Sequence, residues 1–278
     1  MTRLAGYQPQ YFPRLHYFAR ILNADVFTIS DYLQYVRKHA YAHKDGTTSR
    51  GVSYQAHTPI KTSQGPLLLD IPVKRGGENG RQMIHEAPID YATTWQQKNL
   101  NSIYFHYHKA PQFSAIFPDL SVVMMQKYET LAGCTVASIL WSLSVLLEIC
   151  THRPKGPTVP QLNNMLPHAD FRLKKVARLS DSDIAPPNKE IGRDANEWII
   201  DTCKKMGAEE YYYGGTSAAA YMDFDRLKNA GITLVEQDWQ GREYSQLHGA
   251  FIPNLSILDL LMNVTPAEAR SILSTANQ

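Results

Sequence analysis

The sequence predicts an α/β protein with a mostly parallel sheet and helices on both faces, Rossmann-like in outline. Two observations carry this. A strand, a proline-bearing loop, a helix and a second strand follow one another within residues 1–29, the βαβ pattern of a parallel sheet. A strand, a helix and a strand recur between residues 210 and 235. At 278 residues the chain is long enough to bury a core holding a preformed pocket without disulfide or metal staples.

Residues 4–7 are apolar and stop at Gln8-Pro9, where the missing proline N–H ends a ladder. Residues 15–22 carry apolar side chains at helical spacing until Asn23-Ala24-Asp25 breaks the helix, and Val26-Phe27-Thr28-Ile29 follows as a β-branched and aromatic strand. The apolar run 66–73 reads as a strand leading into the loop Lys74-Arg75-Gly76-Gly77. Helices are expected over 91–108, 117–127 and 135–150. The last is about 16 residues long, short of the roughly 20 of a membrane span, and holds Glu148, so it reads as a buried helix. Residues 153–164 carry three prolines and a glycine, and read as a linker or a loop over the fold. One domain is expected over 1–278, with any division into two lobes falling at that stretch. Further on, the pattern predicts a helix over 195–205 capped by Gly207, a strand over 210–213, a helix over 218–229 and a strand over 231–235. An apolar helix over 255–262 then precedes Thr265-Pro266-Ala267-Glu268, which has the form of a helix start.

The 28 Lys and Arg are nearly cancelled by 26 Asp and Glu, and no block of like charge marks a nucleic-acid binder. Three widely spaced cysteines, Cys134, Cys150 and Cys203, form no C-x-x-C and argue against a disulfide framework or a zinc site. A reducing, cytoplasmic setting fits them. The N-terminus lacks the apolar core of a signal peptide. His106 and His108 stand two apart on a helix and face different ways, and there is no H-E-x-x-H, so no metal is expected.

Candidate site residues cluster at predicted strand ends. Gln8 offers an amide, Tyr11 a hydroxyl and a stacking face, and His16 a group that moves protons near neutral pH. Asp31 and Gln34 follow the second strand and lie near the Gln8 loop if the two strands are parallel. Asp31 is then a candidate general base or an amine-binding carboxylate, or else an acid that caps a turn or pairs with Arg37. Lys74 and Lys98 are candidate anion partners or solvated surface charges. Asn254 and Ser256 open the helix that holds Asp259, where a serine either caps backbone N–H groups or leaves them to an anion. Tyr213-Gly214-Gly215-Thr216-Ser217 is a second candidate anion loop, although neither G-x-x-x-x-G-K-[ST] nor G-x-G-x-x-G is present. Cys134, close after Gly133 near a helix start, is tested as a nucleophile; no G-x-S-x-G occurs.

Six segments together resemble the WbqC-like family along nearly the whole chain: QPQYFPRLHYF, ISDYLQYVRK, IPVKRGG, WQQKNLNSIYFHYHKAPQF, DTCKKMGAEEYYYGG and YSQLHGAFIPNLSILDLLMN. Two places depart from that pattern. Tyr32 and Leu33 follow Asp31 where the family often has a second acid, and Lys38-His39-Ala40-Tyr41-Ala42-His43 stands where it often has asparagines. The resemblance implies a part in polysaccharide or natural-product assembly. The expected function is an acyl or aminoacyl transferase acting on an activated small molecule, carrier-bound or nucleotide-linked. The alternatives are a thioester hydrolase of carrier-bound intermediates and a non-catalytic partner of a biosynthetic complex. The opening strand–loop–helix–strand also resembles HUP-type nucleotidyltransferases and pantothenate synthetase. That fold-level analogy admits ATP; otherwise no cofactor is expected.

Overall fold

The computed structural model describes residues 1–42, 48–76, 81–149, 155–214 and 221–274. The chain opens with β1 (Arg3–Tyr7), α1 (Leu15–Leu22) and β2 (Val26–Ile29). Two antiparallel hairpins follow, β3 (Lys38–Ala42) with β4 (Thr48–Val52) and β5 (His57–Thr62) with β6 (Gly65–Asp70). Three helices come next: α2 (Trp95–Tyr107), α3 (Phe113–Met125) and α4 (Leu131–Leu146). After them come α5 (Val159–Met165), β7 (Lys175–Arg178), α6 (Ala195–Met206), β8 (Glu210–Gly214), α7 (Phe224–Asn229) and β9 (Thr233–Gln237). The chain closes with α8 (Ile257–Asn263) and α9 (Pro266–Ser274).

The central sheet has the order β7-β2-β1-β8-β9 and every neighbouring pair is parallel. Side chains alternate across β1, so Ala5 points to one face and Leu4 to the other. The Ala5 face meets the larger core, with Phe18 of α1, Leu140 of α4 and Leu260 of α8. The Leu4 face meets a smaller core, with Trp198 and Ile199 of α6 and Leu227 of α7. This is the expected α/β fold with helices on both faces.

Local chemistry explains where the elements depart from expectation. The buried apolar helix begins at Leu131 and not at residue 135, because the Thr130 side chain accepts the Gly133 N–H and caps it there. The proline-rich stretch is helical from Val159. Thr158 and Gln161 form a reciprocal capping box, and proline is tolerated in a first turn. Residues 153–154 of that stretch, Cys150 and Gly77 lie outside the described residues. Strand β5 was not expected, because HTPIKT reads as polar and holds a proline, yet all six residues are buried. Strand β7 was also unforeseen. Among the described residues no helix is long and apolar enough to cross a membrane.

Residues 238–256 form no helix or strand and are tied to the body by a buried polar cluster. Asp259 accepts from the Tyr107 hydroxyl at 2.7 Å, the Tyr244 hydroxyl at 2.6 Å and the Gln246 amide at 2.9 Å. Burial raises the pKa of this carboxyl. The Lys61 ammonium donates to the carbonyls of Gly249 and Ala250, at 3.0 and 2.6 Å.

Candidate functional site

The strand order reverses at β1. The chain runs from β1 outward to β2 and β7, then returns to place β8 and β9 on the other side. The carboxyl ends of β1 and β8 therefore flank a topological switch point, the place where open α/β sheets bind ligands. A cavity of about 410 Å³ opens there, floored by Gly6, Tyr7 and Gln8 and by Tyr213 and Gly214. Small residues leave the space. A Cβ on Gly6 would lie 2.6 Å from Thr28 Oγ1. Ser30, one residue past β2 on the same face, fills little volume beside it.

Ser30, Arg20 and Gln8 are the non-aromatic polar residues among those that line this cavity. Ser30 is 1% exposed, and its hydroxyl has no hydrogen-bond partner among the described residues. Arg20 is 6% exposed, and its Nε donates to Gln237 Oε1 at 2.7 Å. Its guanidinium lies 4.7 Å from the Tyr7 ring centroid and against Gly214, where a Cβ would sit 1.6 Å from Nη2. No carboxylate pairs with Arg20 among the described residues. Gln8 is the third group. Its Oε1 accepts from the Tyr54 hydroxyl at 3.0 Å and from Gln55 Nε2 at 2.6 Å, which fixes the amide. Trp198, Tyr211 and Tyr221 supply aromatic walls.

Asn254 and His16 join this site from behind. Asn254 Oδ1 accepts the His16 backbone N–H at 3.1 Å and lies 3.0 Å from His16 Nδ1. Its φ of 53° is left-handed, a conformation asparagine tolerates. Burial lowers the His16 pKa to about 4, so the ring is neutral at pH 7 and its Nδ1–H donates to Asn254. Gln237 Nε2 donates to the His16 carbonyl at 2.9 Å while its Oε1 holds Arg20. His16 does not line the cavity; it is linked to Arg20 through Gln237.

The other expected site residues lie elsewhere. Asp31 is fully buried. Its carboxylate accepts from Arg178 Nε and Nη2 at 2.9 and 2.6 Å, and from the Ser180 N–H and hydroxyl at 3.0 and 2.7 Å. Bound on both oxygens and sealed, it is a structural anchor between β2 and β7, paired with Arg178 and not with Arg37. Tyr11 packs in the core against Phe12 and Trp95, and burial pushes its phenol up. Cys134 is buried on α4, and burial raises its thiol well above the ordinary range, the reverse of an activated nucleophile. Ser256 is the cap of α8: its Oγ accepts the Leu258 N–H and donates to the Phe12 carbonyl. Lys98 is exposed on α2, beside a separate surface hollow. Gln34 and Lys74 are exposed and do not line the cavity; Gln34 lines a separate cleft. The loop Gly215-Thr216-Ser217 is outside the described residues.

Sequence reasoning thus placed Gln8 in the cavity and missed Arg20 and Ser30. The sequence held a signal for Ser30 itself, and for Arg20 only one in its neighbour Gly214. Ser30 continues the Val26–Thr28 face by period two, and Gly214 ends a tyrosine-rich strand with a residue that admits close approach.

Fold and cavity together define a Rossmann-like α/β protein with a polar hollow at its switch point. The chain belongs to the WbqC-like protein family, whose model matches residues 8–271. It is 28% identical over 279 residues to an uncharacterized protein of Mycobacterium tuberculosis, with 100% of both chains covered. No solved structure matches the chain.

Proposed function

We propose that the switch-point cavity binds a small organic anion and presents it for group transfer. On this reading the chain is an acyl or aminoacyl transferase of polysaccharide or natural-product assembly. The carrying observation is the pairing of a buried arginine that no carboxylate among the described residues neutralises with a buried hydroxyl that no described residue engages. A guanidinium fork and a hydroxyl donor match a carboxylate or a phosphate, and the aromatic walls suit an organic body beyond it. The fixed Gln8 amide would orient that body.

No Cys, His, Lys, Asp or Glu is among the described residues that line the cavity. Transfer would run directly from donor to acceptor, driven by positioning and by charge stabilisation at Arg20. Hydrolysis through a protein-bound thioester or ester gains no support, because the Cys134 thiol and the Ser256 hydroxyl are sealed. The same lining favours one second reading, a partner protein that holds the anion without turning it over.

The test presents acyl-coenzyme A, acyl phosphates and nucleotide-linked sugars, with amine acceptors, and follows small-molecule products and intact protein by mass spectrometry. The transferase reading expects product with no adduct on the protein. Saturable binding without turnover selects the partner reading. A covalent adduct, or no binding by any of these anions, refutes both.

A further inference from the structure

A second hollow opens on the other side of residues 33 and 34. Leu33 lines the switch-point cavity, whereas Gln34 lines a cleft of about 560 Å³ together with Arg37, Lys38, Arg75 and Gln82. Gln55 links the two. Its Nε2 donates to Gln8 Oε1 at 2.6 Å and to the Gln34 carbonyl at 3.2 Å, and its Oε1 accepts the Val36 N–H at 2.9 Å.

Three cations face this cleft, and no acidic side chain is among its described lining residues. Arg37 is held in place, with Nη1 on the Val73 carbonyl and Nη2 on the Lys74 carbonyl, both at 3.1 Å, and with its guanidinium 5.6 Å from the Tyr35 ring centroid. Gln82 is only 8% exposed. Its carbonyl accepts the Tyr35 N–H at 2.7 Å, but its side-chain amide makes no hydrogen bond to any described residue. Gly76 leaves the approach to that amide open, since a Cβ there would lie 3.3 Å from Gln82 Nε2. A largely buried residue whose amide opens on the cleft and bonds to no described residue is free to donate to a bound group. One whose neighbours are a fixed guanidinium and two further cations suits phosphate oxygens, which accept from several donors at once.

We infer that this cleft is a second binding site, for the phosphate or diphosphate end of a ligand, linked to the switch-point cavity through the Gln55 amide. The phosphate site stands on its own residues. That its occupant is the activated donor, lying beside an acceptor in the Arg20 cavity, rests on the transferase reading.

Calorimetric titration of the full chain with inorganic pyrophosphate tests it, with thermal midpoints confirming that each variant is folded. Saturable binding is expected, and Arg75→Gln and Gln82→Leu should each weaken it about tenfold, as expected for loss of a hydrogen bond to a charged group. Arg20→Met, which removes any pyrophosphate held in the switch-point cavity, should leave a saturable site that Gln82→Leu still weakens. No saturable binding by the wild type overturns the proposal. So does weakening by Arg75→Gln with none by Gln82→Leu, which would signal diffuse charge attraction. Loss on Arg20→Met with Arg75→Gln silent would place pyrophosphate in the switch-point cavity, overturning this site and leaving the functional reading intact. Failure of organic anions to bind at Arg20, with pyrophosphate still lost on Gln82→Leu, would sink that reading and leave this site standing.

Discussion

Replacing Arg20 with methionine separates what the guanidinium does for the fold from what it does for a ligand. The variant loses a charged hydrogen bond to Gln237 at 2.7 Å, worth about 1.5–3 kcal/mol. It also loses the contact with the Tyr7 ring at 4.7 Å, worth about 0.5–2 kcal/mol. Against this, the wild type keeps a cation in a site that is 6% exposed and holds no carboxylate partner among the described residues, at a desolvation cost of several kcal/mol that methionine removes. The terms oppose and are of similar size, so the unfolding free energy should change by less than about 2 kcal/mol in urea titrations. Anion affinity has no such compensation. Removing one partner of a buried, hydrogen-bonded charge pair costs about 2–5 kcal/mol, so binding should weaken about 30-fold or more by calorimetry. A variant that binds as the wild type does, or that loses more than about 4 kcal/mol of stability, would show that Arg20 serves the fold and would refute the reasoning.

Gly214→Ala should mimic that loss of binding from a position that carries no charge, because the new Cβ would stand 1.6 Å from Arg20 Nη2 and displace the guanidinium. Overpacking should lower stability by about 1–3 kcal/mol in thermal melts, and unaltered affinity would contradict the placement of Arg20. Asp259→Leu leaves two tyrosine hydroxyls, the Gln246 amide and the buried Lys61 without their acceptor or counter-charge, and should cost about 3–5 kcal/mol in denaturant titrations; a neutral result would contradict the cluster's role in anchoring residues 238–256. His16 has its folded pKa lowered to about 4 from an ordinary 6.5, so the unfolded chain binds more protons between those values. Its contribution to stability is whole above about pH 6.5 and declines as pH falls to about 4. Melts of His16→Gln should show a flatter pH dependence across that window, and an identical dependence would remove His16 as its source.

The legible parts of the fold were those whose pattern is local. The βαβ opening and the β8–α7–β9 return follow from apolar runs with turn residues between them, and both stand in the structure. Strand β5 was illegible because its burial is decided by tertiary partners. Lys61 is covered by the carbonyls of Gly249 and Ala250, and the Tyr107 hydroxyl accepts the Lys61 backbone N–H. The candidate site divides in the same way. Gln8 could be found because it follows a strand that proline ends. Asp31 attracted attention as an acid at a strand end, but its pairing with Arg178 and Ser180 spans nearly 150 residues and leaves no trace in local spacing. Arg20 went unseen for the opposite reason. On a short helix it reads as a surface cation, and only the packing of α1 against β8 turns it into the charged wall of a cavity.

The most direct measurement is a crystal structure of the chain with a carboxylate-bearing organic ligand, free of phosphate, that it binds in solution. The anionic group should lie between the Arg20 guanidinium and the Ser30 hydroxyl, with the organic part against Trp198 and Tyr211. An anion bound elsewhere, with the Arg20 fork and the Ser30 hydroxyl left unengaged, would contradict that placement.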